Sequence, residues 1–340
     1  MLAVNPLPWA GVSGGLVVGV DAGGTVTRCL VAAVNGAVLA RGSAGGASQR
    51  SSGGRPADAL AAALRAALSD VDTQRVVGGV VGAAGAGSAG RSTARAAATE
   101  AWRAVGLPGQ VITVTDLEVA FAAGSPAGSG LLLVAGTGAA AAALRDGVIV
   151  HRCDGYGWLL GDEGGAVWIG LRGLRAVLAG LDGRAGPTAL AGPITARLLG
   201  PEPAPTDPAE HAQALLGAAY AMPPAGLGRL APLVATAAEA GDLAAKRIVD
   251  DAARRLLAAL AAVAKASTAA AVGPEAVVLA GSVLLSPGPV RDAVRAGVRK
   301  MFGTEARPAA DGTAGAAALA IARWQGRPVS AAVHARLTFG

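Results

Sequence analysis

Residues 17–28 carry the sequence VVGVDAGGTVTR. A short apolar run leads to Asp21, glycines and threonines follow, and a second apolar run extends from Cys29 to Val34. This order predicts a β-hairpin with a tight tip that is lined by glycine. Backbone N–H groups at glycine can approach an anion closely, and threonine hydroxyls add further donors. The tip therefore suits the phosphates of a nucleotide, although an ordinary glycine turn between two core strands would show the same pattern.

Asp21 stands beside this tip and is a candidate to hold a hydrated Mg²⁺, which usually keeps several waters and takes one or two carboxylates. The tip is not a Walker loop, because no Gly-Lys-Ser/Thr follows it. It is not a dinucleotide fingerprint either, because the next predicted element is a strand and not a helix.

Length and composition favour a two-domain protein that binds small molecules. At 340 residues the chain is long enough for two domains with separate cores. Aromatic residues make up 3%, which leaves little material for stacking single-stranded nucleic acid. The net charge of +6 comes mostly from scattered arginines, which favours anionic substrates over a nucleic-acid partner.

The cysteines and the apolar runs indicate the cellular compartment in which the protein is expected. Cys29 and Cys153 lie far apart in the sequence, which argues against a disulfide framework or a zinc site and favours a reducing cytoplasm. Residues 1–16 lack the pattern of a signal peptide. No apolar run reaches the roughly 20 residues of a membrane span, so no membrane partner is expected.

The first 125 residues predict a β-β-β-α-β-α-β order, which describes a mixed sheet with helices on its faces. After the hairpin, the predicted elements are a strand near 37–41, a Gly/Ser-rich loop at 42–54, helices at 56–68 and 91–105, and strands at 76–82 and 111–115.

The pattern then partly restarts, so the second half resembles the first. The predicted elements are strands at 131–135, 139–144, 148–151 and 276–280, helices at 163–179, 289–301 and 311–323, and a mostly helical stretch at 187–268 that is interrupted by a loop at 201–208. Asp242 is the expected N-cap of a long helix within that stretch. Two similar halves imply a ligand between them, since domain clefts are favoured binding sites.

The second hairpin has the tip Gly136-Thr137-Gly138. Such a turn is common on its own. Two glycine tips that face each other, however, can grip the β- and γ-phosphates from both sides, and positioning is most of what phosphoryl transfer requires of a protein.

Asp116 follows the predicted strand at 111–115 and precedes an apolar helix. It is either an N-cap, which needs no function, or a carboxylate that accepts the proton of a substrate hydroxyl.

Residues 154–165 form the third candidate element, with the sequence DGYGWLLGDEGG. Carboxylates can accept hydrogen bonds from sugar hydroxyls while an aromatic ring covers the apolar sugar face. The alternative makes Asp162 the N-cap of the following helix. Near the C-terminus, residues 277–283 end a buried strand with small side chains, against which a flat purine could lie.

Taken in order, these motifs resemble the N-acetylglucosamine kinases of the BadF/BadG-type branch of the sugar kinase/Hsp70/actin superfamily. The matching segments are Asp21–Thr25, Thr115-Asp116, Val134–Gly138, Gly157–Gly164 and Ala280–Ser282. The resemblance implies an α/β fold of two ribonuclease-H-like (actin/hexokinase-type) domains with a cleft between them. The domains are expected at 1–125 and at 126–310, the second with a helical insertion, and helix 311–324 is expected to pack back on the first.

The resemblance also implies a role for each matching residue. The nucleotide contacts would be Gly23, Gly24, Thr25, Thr27, Gly136, Thr137, Gly138, Gly228, Gly281 and Ser282, with Asp21 positioning Mg²⁺ through water. The sugar contacts would be Ser48, Gln49, Asp116, Thr137, Gly155, Tyr156, Gly157 and Asp162. Asp116 matches the catalytic base, which would deprotonate the 6-hydroxyl of the sugar.

The expected activity is therefore ATP-dependent phosphorylation of an amino sugar such as N-acetylglucosamine or glucosamine, in a cytoplasmic homodimer. Relatives often carry an asparagine near the N-acetyl group, where this chain has GGASQ at 45–49, so N-acetylmannosamine or another amino sugar stays open. The alternative is an ATPase activator or a sugar- or nucleotide-sensing regulator of the same superfamily. The cluster-bearing activators need cysteines in the glycine turns, and this chain has none there.

Overall fold

The computed structural model describes residues 14–24, 26–47, 54–83, 90–269, 274 and 276–340. Two compact units divide the chain by residue number: unit 1 comprises 1–130, 144–150 and 307–340, and unit 2 comprises 131–143 and 151–306. The predicted boundaries at 125 and 310 refer to domains that fold independently, which a division into compact units does not test. These boundaries therefore stay a prediction.

The first half of the chain forms five strands and three helices within the described residues. They are β1 (Leu16–Ala22), β2 (Val26–Ala33), β3 (Val38–Gly45), α1 (Pro56–Leu68), β4 (Val76–Ala83), α2 (Arg91–Ala104), β5 (Gln110–Thr115) and α3 (Asp116–Gly124). A one-turn 3₁₀ helix, Thr73–Arg75, precedes β4.

The second half begins with three strands and continues as a mostly helical segment. Its elements are β6 (Gly130–Ala135), β7 (Ala139–Arg145), β8 (Val148–Asp154), α4 (Ala166–Leu181), α5 (Ala191–Leu199), α6 (Pro208–Tyr220), a 3₁₀ helix (Pro224–Leu230), α7 (Ala231–Glu239), α8 (Leu243–Ala269), β9 (Val277–Ala280), α9 (Ser282–Leu285), α10 (Pro289–Phe302), β10 (Arg307–Pro308), α11 (Gly312–Gln325) and α12 (Ala331–Phe339).

Two five-stranded sheets share one strand order, which confirms the expected α/β class. The first sheet runs β3-β2-β1-β4-β5 and the second runs β10-β9-β6-β7-β8. In the first sheet β2 is antiparallel to β1, whereas β4 is parallel to β1 and β5 is parallel to β4. In the second, β6 and β9 are parallel. Parallel neighbours end at the same edge of a sheet, so the loops that follow them come together there.

Helices cover both faces of the first sheet. On one face Val20 and Val31 belong to a core that includes Leu64 of α1 and Trp102 of α2. On the other face α11 lies so close to β1 that a Cβ added to Gly19 would stand 2.5 Å from the backbone nitrogen of Ala317. The small residues of α11 thus let this helix lie directly on the strand that leads to the glycine tip.

The core of unit 2 joins the strands of the second sheet to the helical segment. Leu131 and Leu133 of β6 cluster with Val167 of α4, Leu256 of α8 and Val294 of α10. Asp242 caps α8 as predicted, because its carboxylate accepts a hydrogen bond from the backbone nitrogen of Ala245 at 2.8 Å.

Several predicted boundaries are wrong. The strand predicted at 148–151 continues to Asp154. The third strand continues to Gly45 instead of ending near 41, because the antiparallel ladder with β2 persists to the pair Val26 and Gly45. The helix predicted from 163 begins at Ala166, because Gly164 has a positive φ, which a right-handed helix excludes. The sequence pattern also missed α12.

Among the described residues, no helix has both the length and the apolar composition that crossing a bilayer would require.

Candidate active site

The first glycine tip joins β1 to β2 in unit 1. The backbone N–H of Gly23 donates to the carbonyl of Val26 at 3.1 Å, and the carbonyl of Gly23 accepts from the N–H of Ala47 at 3.1 Å. The tip is therefore tied to the segment that follows β3. Thr25, a predicted phosphate contact, lies outside the described residues.

Thr27 is fully buried at the start of β2, and among the described residues its hydroxyl has no hydrogen-bond partner. A buried hydroxyl without a partner costs free energy, so this position is not explained by packing alone. The predicted contact of Thr27 with nucleotide stays a prediction.

Asp21, at the end of β1, lies in an environment that opposes its charge. Burial, and after it the neighbouring carboxylates of Asp311 and Asp116, raise the pKa of this carboxyl from 3.8 to about 6, while Arg28 acts in the opposite direction. The carboxylates of Asp311 and Asp116 thus lie close enough to that of Asp21 to repel its negative charge. A bound cation would relieve this mutual repulsion.

Asp116 is exposed at the first position of α3, directly after β5. The N-cap of α3 is Thr115, whose hydroxyl accepts from the N–H of Glu118 at 3.2 Å, while the Glu118 carboxylate accepts from the N–H of Thr115 at 2.8 Å. The interpretation of Asp116 as an N-cap is therefore wrong. The pattern Thr-x-x-Glu is the signal that would have identified the cap.

Asp311 is the residue of unit 1 that sequence reasoning missed as part of the site. It caps α11 by accepting from the backbone N–H and the hydroxyl of Thr313, at 2.8 and 2.6 Å. A Cβ on the next residue, Gly312, would stand 2.5 Å from a carboxylate oxygen of Asp21. The sequence predicted a helix that begins at Asp311, but no local pattern could place this residue beside Asp21.

The predicted Mg²⁺ can be tested against this geometry. The described residues hold no group of three or more His, Cys, Asp or Glu that could ligate a metal. Mg²⁺ does not require one, since it commonly uses one or two carboxylates together with waters and substrate phosphates. Asp21, with Asp311 beside it, fits that mode of binding.

The second glycine tip, in unit 2, caps a helix. The N–H of Gly136 closes the turn onto the carbonyl of Gly138 at 2.9 Å. The carbonyls of Gly136 and Thr137 accept from the N–H groups of Ala166 and Val167, at 2.8 and 3.2 Å, and so satisfy the first turn of α4. The side chain of Thr137 is exposed.

Asp162 lies against this second tip. Its carboxylate accepts from the backbone N–H groups of Gly157, at 3.3 Å, and Ala139. A Cβ on Gly138 would overlap the Asp162 carboxylate, so a larger residue there would displace this carboxylate. Burial raises the pKa of Asp162, and these hydrogen bonds oppose that rise. The interpretation of Asp162 as a helix N-cap is wrong, because Gly165 holds that position.

The predicted sugar contacts Gly155, Tyr156 and Gly157 lie in the same turn as Asp162. Both glycines have positive φ, and the ring of Tyr156 is 72% exposed, which leaves it available to a ligand. Ser48 and Gln49 lie outside the described residues.

The predicted purine contacts also border the second tip. Gly281 has a φ of 87°, and a Cβ there would overlap the carbonyl of Ala135. A Cβ on Gly136 would stand 3.8 Å from the backbone nitrogen of Ser282. Gly228 packs against the start of α4, where a Cβ added to this glycine would stand 3.4 Å from the Cβ of Ala166.

The structure thus brings the predicted residues together in two groups. Asp21, Gly23 and Asp116 lie in unit 1, and the second tip, the turn with Asp162, and Gly281 lie in unit 2. That the two groups serve one ligand pair stays a prediction.

Comparisons with known proteins identify the class of protein to which the fold belongs. The fold is that of the actin/hexokinase-type sugar kinases. It matches a candidate N-acetylglucosamine kinase from Chromobacterium violaceum with a TM-score of 0.70 and 25% identity, covering 91% of this chain and all of that one. A glucokinase from Streptomyces griseus, solved with glucose and AMPPNP, shares the fold with a TM-score of 0.52 and 19% identity over 89% of this chain and 97% of its own.

The family follows from the sequence. The profile of the BadF/BadG/BcrA/BcrD ATPase family matches residues 18–320, and the chain belongs to that family. The N-acetylmuramic acid/N-acetylglucosamine kinase of Clostridium acetobutylicum is 30% identical over 163 residues, which are 47% of this chain and 50% of that protein. The chain thus spans about half the length of that relative.

Proposed function

We propose that the chain is an ATP- and Mg²⁺-dependent kinase that phosphorylates an amino sugar such as N-acetylglucosamine or glucosamine at the 6-hydroxyl. The observation that carries the proposal is the exposed carboxylate of Asp116, which follows a strand end and lies within electrostatic range of Asp21. Family membership and the amino-sugar names of two relatives support it.

In this proposal Asp116 is the general base. Its carboxylate accepts the proton of the sugar hydroxyl as that oxygen attacks the γ-phosphorus of ATP in line. The new bond joins the sugar oxygen to phosphorus, the bond from phosphorus to the β–γ bridging oxygen breaks, and ADP leaves with that electron pair.

The other residues bind and orient. Asp21 would hold the Mg²⁺, which supplies charge neutralisation for the phosphates. At the second tip, Thr137 and Gly138 would contact phosphate. The N–H of Gly136 already donates to the carbonyl of Gly138 within the turn. Asp162 would accept hydrogen bonds from sugar hydroxyls while Tyr156 covers a sugar face.

A coupled ADP-release assay over a panel of amino sugars and glucose tests the proposal. We expect an amino sugar to stimulate ADP release, and Asp116→Asn to lower kcat by about 10²- to 10⁴-fold, since general-base catalysis contributes about that much. Binding of sugar and nucleotide should persist in the variant. Asp58→Asn, an exposed carboxylate on α1, is the matched control and should behave as wild type.

Two results would contradict the proposal. ADP release that no sugar stimulates would indicate an ATPase of the same family. Full activity in Asp116→Asn would remove Asp116 from the chemistry.

A further inference from the structure

Residues 154–163, here called the sugar turn, are closed by a carboxylate to which sequence reasoning assigned no role. One oxygen of Asp154 accepts from the N–H groups of Gly155 and Asp162, at 2.6 and 2.8 Å. Its other oxygen accepts from the N–H of Glu163 at 2.8 Å. A single side chain at the start of the turn thus fixes the backbone at its far end through charge-assisted hydrogen bonds, which are the stronger kind.

Asp162 makes the reciprocal connection. Its own carboxylate accepts from the N–H of Gly157, near the start of the turn, and from Ala139, beyond the second tip. The direction of this carboxylate therefore depends on where its backbone is held, and Asp154 holds it.

The backbone conformation of Asp154 and Asp162 indicates that the hydrogen bonds around them constrain it. Asp154 and Asp162 have φ values of 62° and 55°, in the left-handed region that favours glycine. Non-glycine residues persist there when surrounding interactions determine the conformation. Arg152 adds to these interactions, because its guanidinium donates to the carbonyls of Asp154 and Gly155 at 3.1 and 2.6 Å.

We infer that Asp154 is a positioning residue for sugar binding: its carboxylate fixes the backbone of Asp162 and Glu163 and thereby aims the Asp162 carboxylate at the sugar hydroxyls. This inference rests on the proposed function. It predicts that loss of the Asp154 carboxylate weakens sugar binding, while the nucleotide and the chemical step are little affected.

The first test replaces Asp154 by glycine, which tolerates the positive φ and removes the carboxylate together with its methylene group. We expect the KM for sugar to rise about 10- to 100-fold, the loss that follows from removing hydrogen bonds to a charged group, with little change in kcat or in the KM for ATP. Asp154→Asn retains one acceptor oxygen and should give an intermediate rise. Asp146→Gly is the matched control, because Asp146 is an exposed aspartate with a φ of 52° in another turn.

The second test asks whether Asp154 acts through Asp162. In an Asp162→Ala background, Asp154→Gly should raise the KM for sugar no further, because the group that it positions is gone. In the ligand-free protein, the amides of Asp162 and Glu163 should exchange hydrogen faster in Asp154→Gly than in wild type, and Asp146→Gly should leave their rates unchanged.

Independent, multiplicative effects of the two substitutions would overturn the inference. So would a drop in kcat at unchanged KM, or unchanged exchange of the two amides. A wild-type protein that phosphorylates no sugar would refute the proposed function instead, and amide exchange would still test the positioning.

Discussion

At the scale of single residues, Asp21 is the clearest case of a side chain whose position opposes stability. Its folded-state pKa of about 6 lies above the ordinary value of 3.8, so between these pH values the folded protein binds more protons than the unfolded chain. The free energy of unfolding therefore falls as pH rises through this window, and the cost is complete above about pH 6. Such a cost is expected of a carboxylate placed to meet a cation.

Replacement of Asp21 by asparagine should therefore stabilise the fold and impair function. We expect Asp21→Asn to raise the free energy of unfolding by up to about 3 kcal/mol at pH 8 and by less at pH 5, because a shift of about two pKa units corresponds to that energy. Mg²⁺-dependent nucleotide binding should weaken. Denaturant unfolding at both pH values and calorimetric titration measure the two effects. A change in the free energy of unfolding that is equal at the two pH values would contradict this explanation.

The residue scale also shows what local sequence could predict. The motifs around Asp21 and Asp162 were identifiable because glycines and carboxylates stand together within a few positions of the chain, and Asp116 because it stands between a predicted strand and an apolar helix. Asp311 was not, since it reaches Asp21 only through the packing of α11 on β1. Asp154 was visible in the sequence, but its three N–H partners depend on how the turn folds.

At the scale of elements, close helix packing in unit 1 depends on glycine. A Cβ on Gly315 of α11 would overlap the carbonyl of Val119 and stand 2.7 Å from the backbone nitrogen of Ala123, both in α3. Because α3 begins with Asp116, this contact also bears on the site.

Gly315→Ala should destabilise the protein by about 1–3 kcal/mol, the usual cost of overpacking. The matched control is Gly217→Ala in α6, where nothing lies within 4 Å of the added Cβ. It should stabilise by about 0.5–1 kcal/mol, because alanine is the better helix former. Thermal and denaturant unfolding would measure both. A neutral Gly315→Ala would show that α3 and α11 can separate without cost.

A second contact between elements holds the sugar turn to α8. Arg255 pairs with Glu163 of the turn and with Asp251, at 3.1 Å, and its guanidinium lies 5.5 Å from the centre of the Trp168 ring. Its neighbour Arg254 is largely exposed and pairs with Asp251.

Arg255→Ala should cost about 1–2 kcal/mol of stability, because it removes two ion pairs and a cation–π contact from a partly buried position. Arg254→Ala should cost less than about 0.5 kcal/mol, as exposed pairs usually do. Chemical unfolding of the two variants compares them directly. Equal losses of stability in the two variants would mean that the contact of Arg255 with the sugar turn does not stabilise the protein.

Elements with strong periodicity were predictable. Helix α1 lies at 56–68 as predicted, because its apolar face and initial proline are local signals. The start of α4 was not, since the positive φ of Gly164 follows from contacts with α8. The extension of β3 likewise depended on its partner strand.

At the scale of the whole molecule, two sheets of the same strand order place a glycine hairpin at the start of each unit. The repetition was predictable from the sequence, because the hairpin pattern recurs at 131–144. The identity of the sugar was not predictable, because binding residues commonly lie on loops, whose conformation the local sequence does not determine.

The proposed reaction of the whole molecule is the transfer of phosphate from ATP to an amino sugar, with Asp116 as the general base. Phosphorus NMR of the product formed from N-acetylglucosamine or glucosamine, ATP and Mg²⁺ tests it most directly. We expect a phosphate ester coupled to the protons on carbon 6, formed by the wild-type protein and not by Asp116→Asn over the same time. The appearance of inorganic phosphate alone, or of the same ester at the same rate with Asp116→Asn, would contradict it.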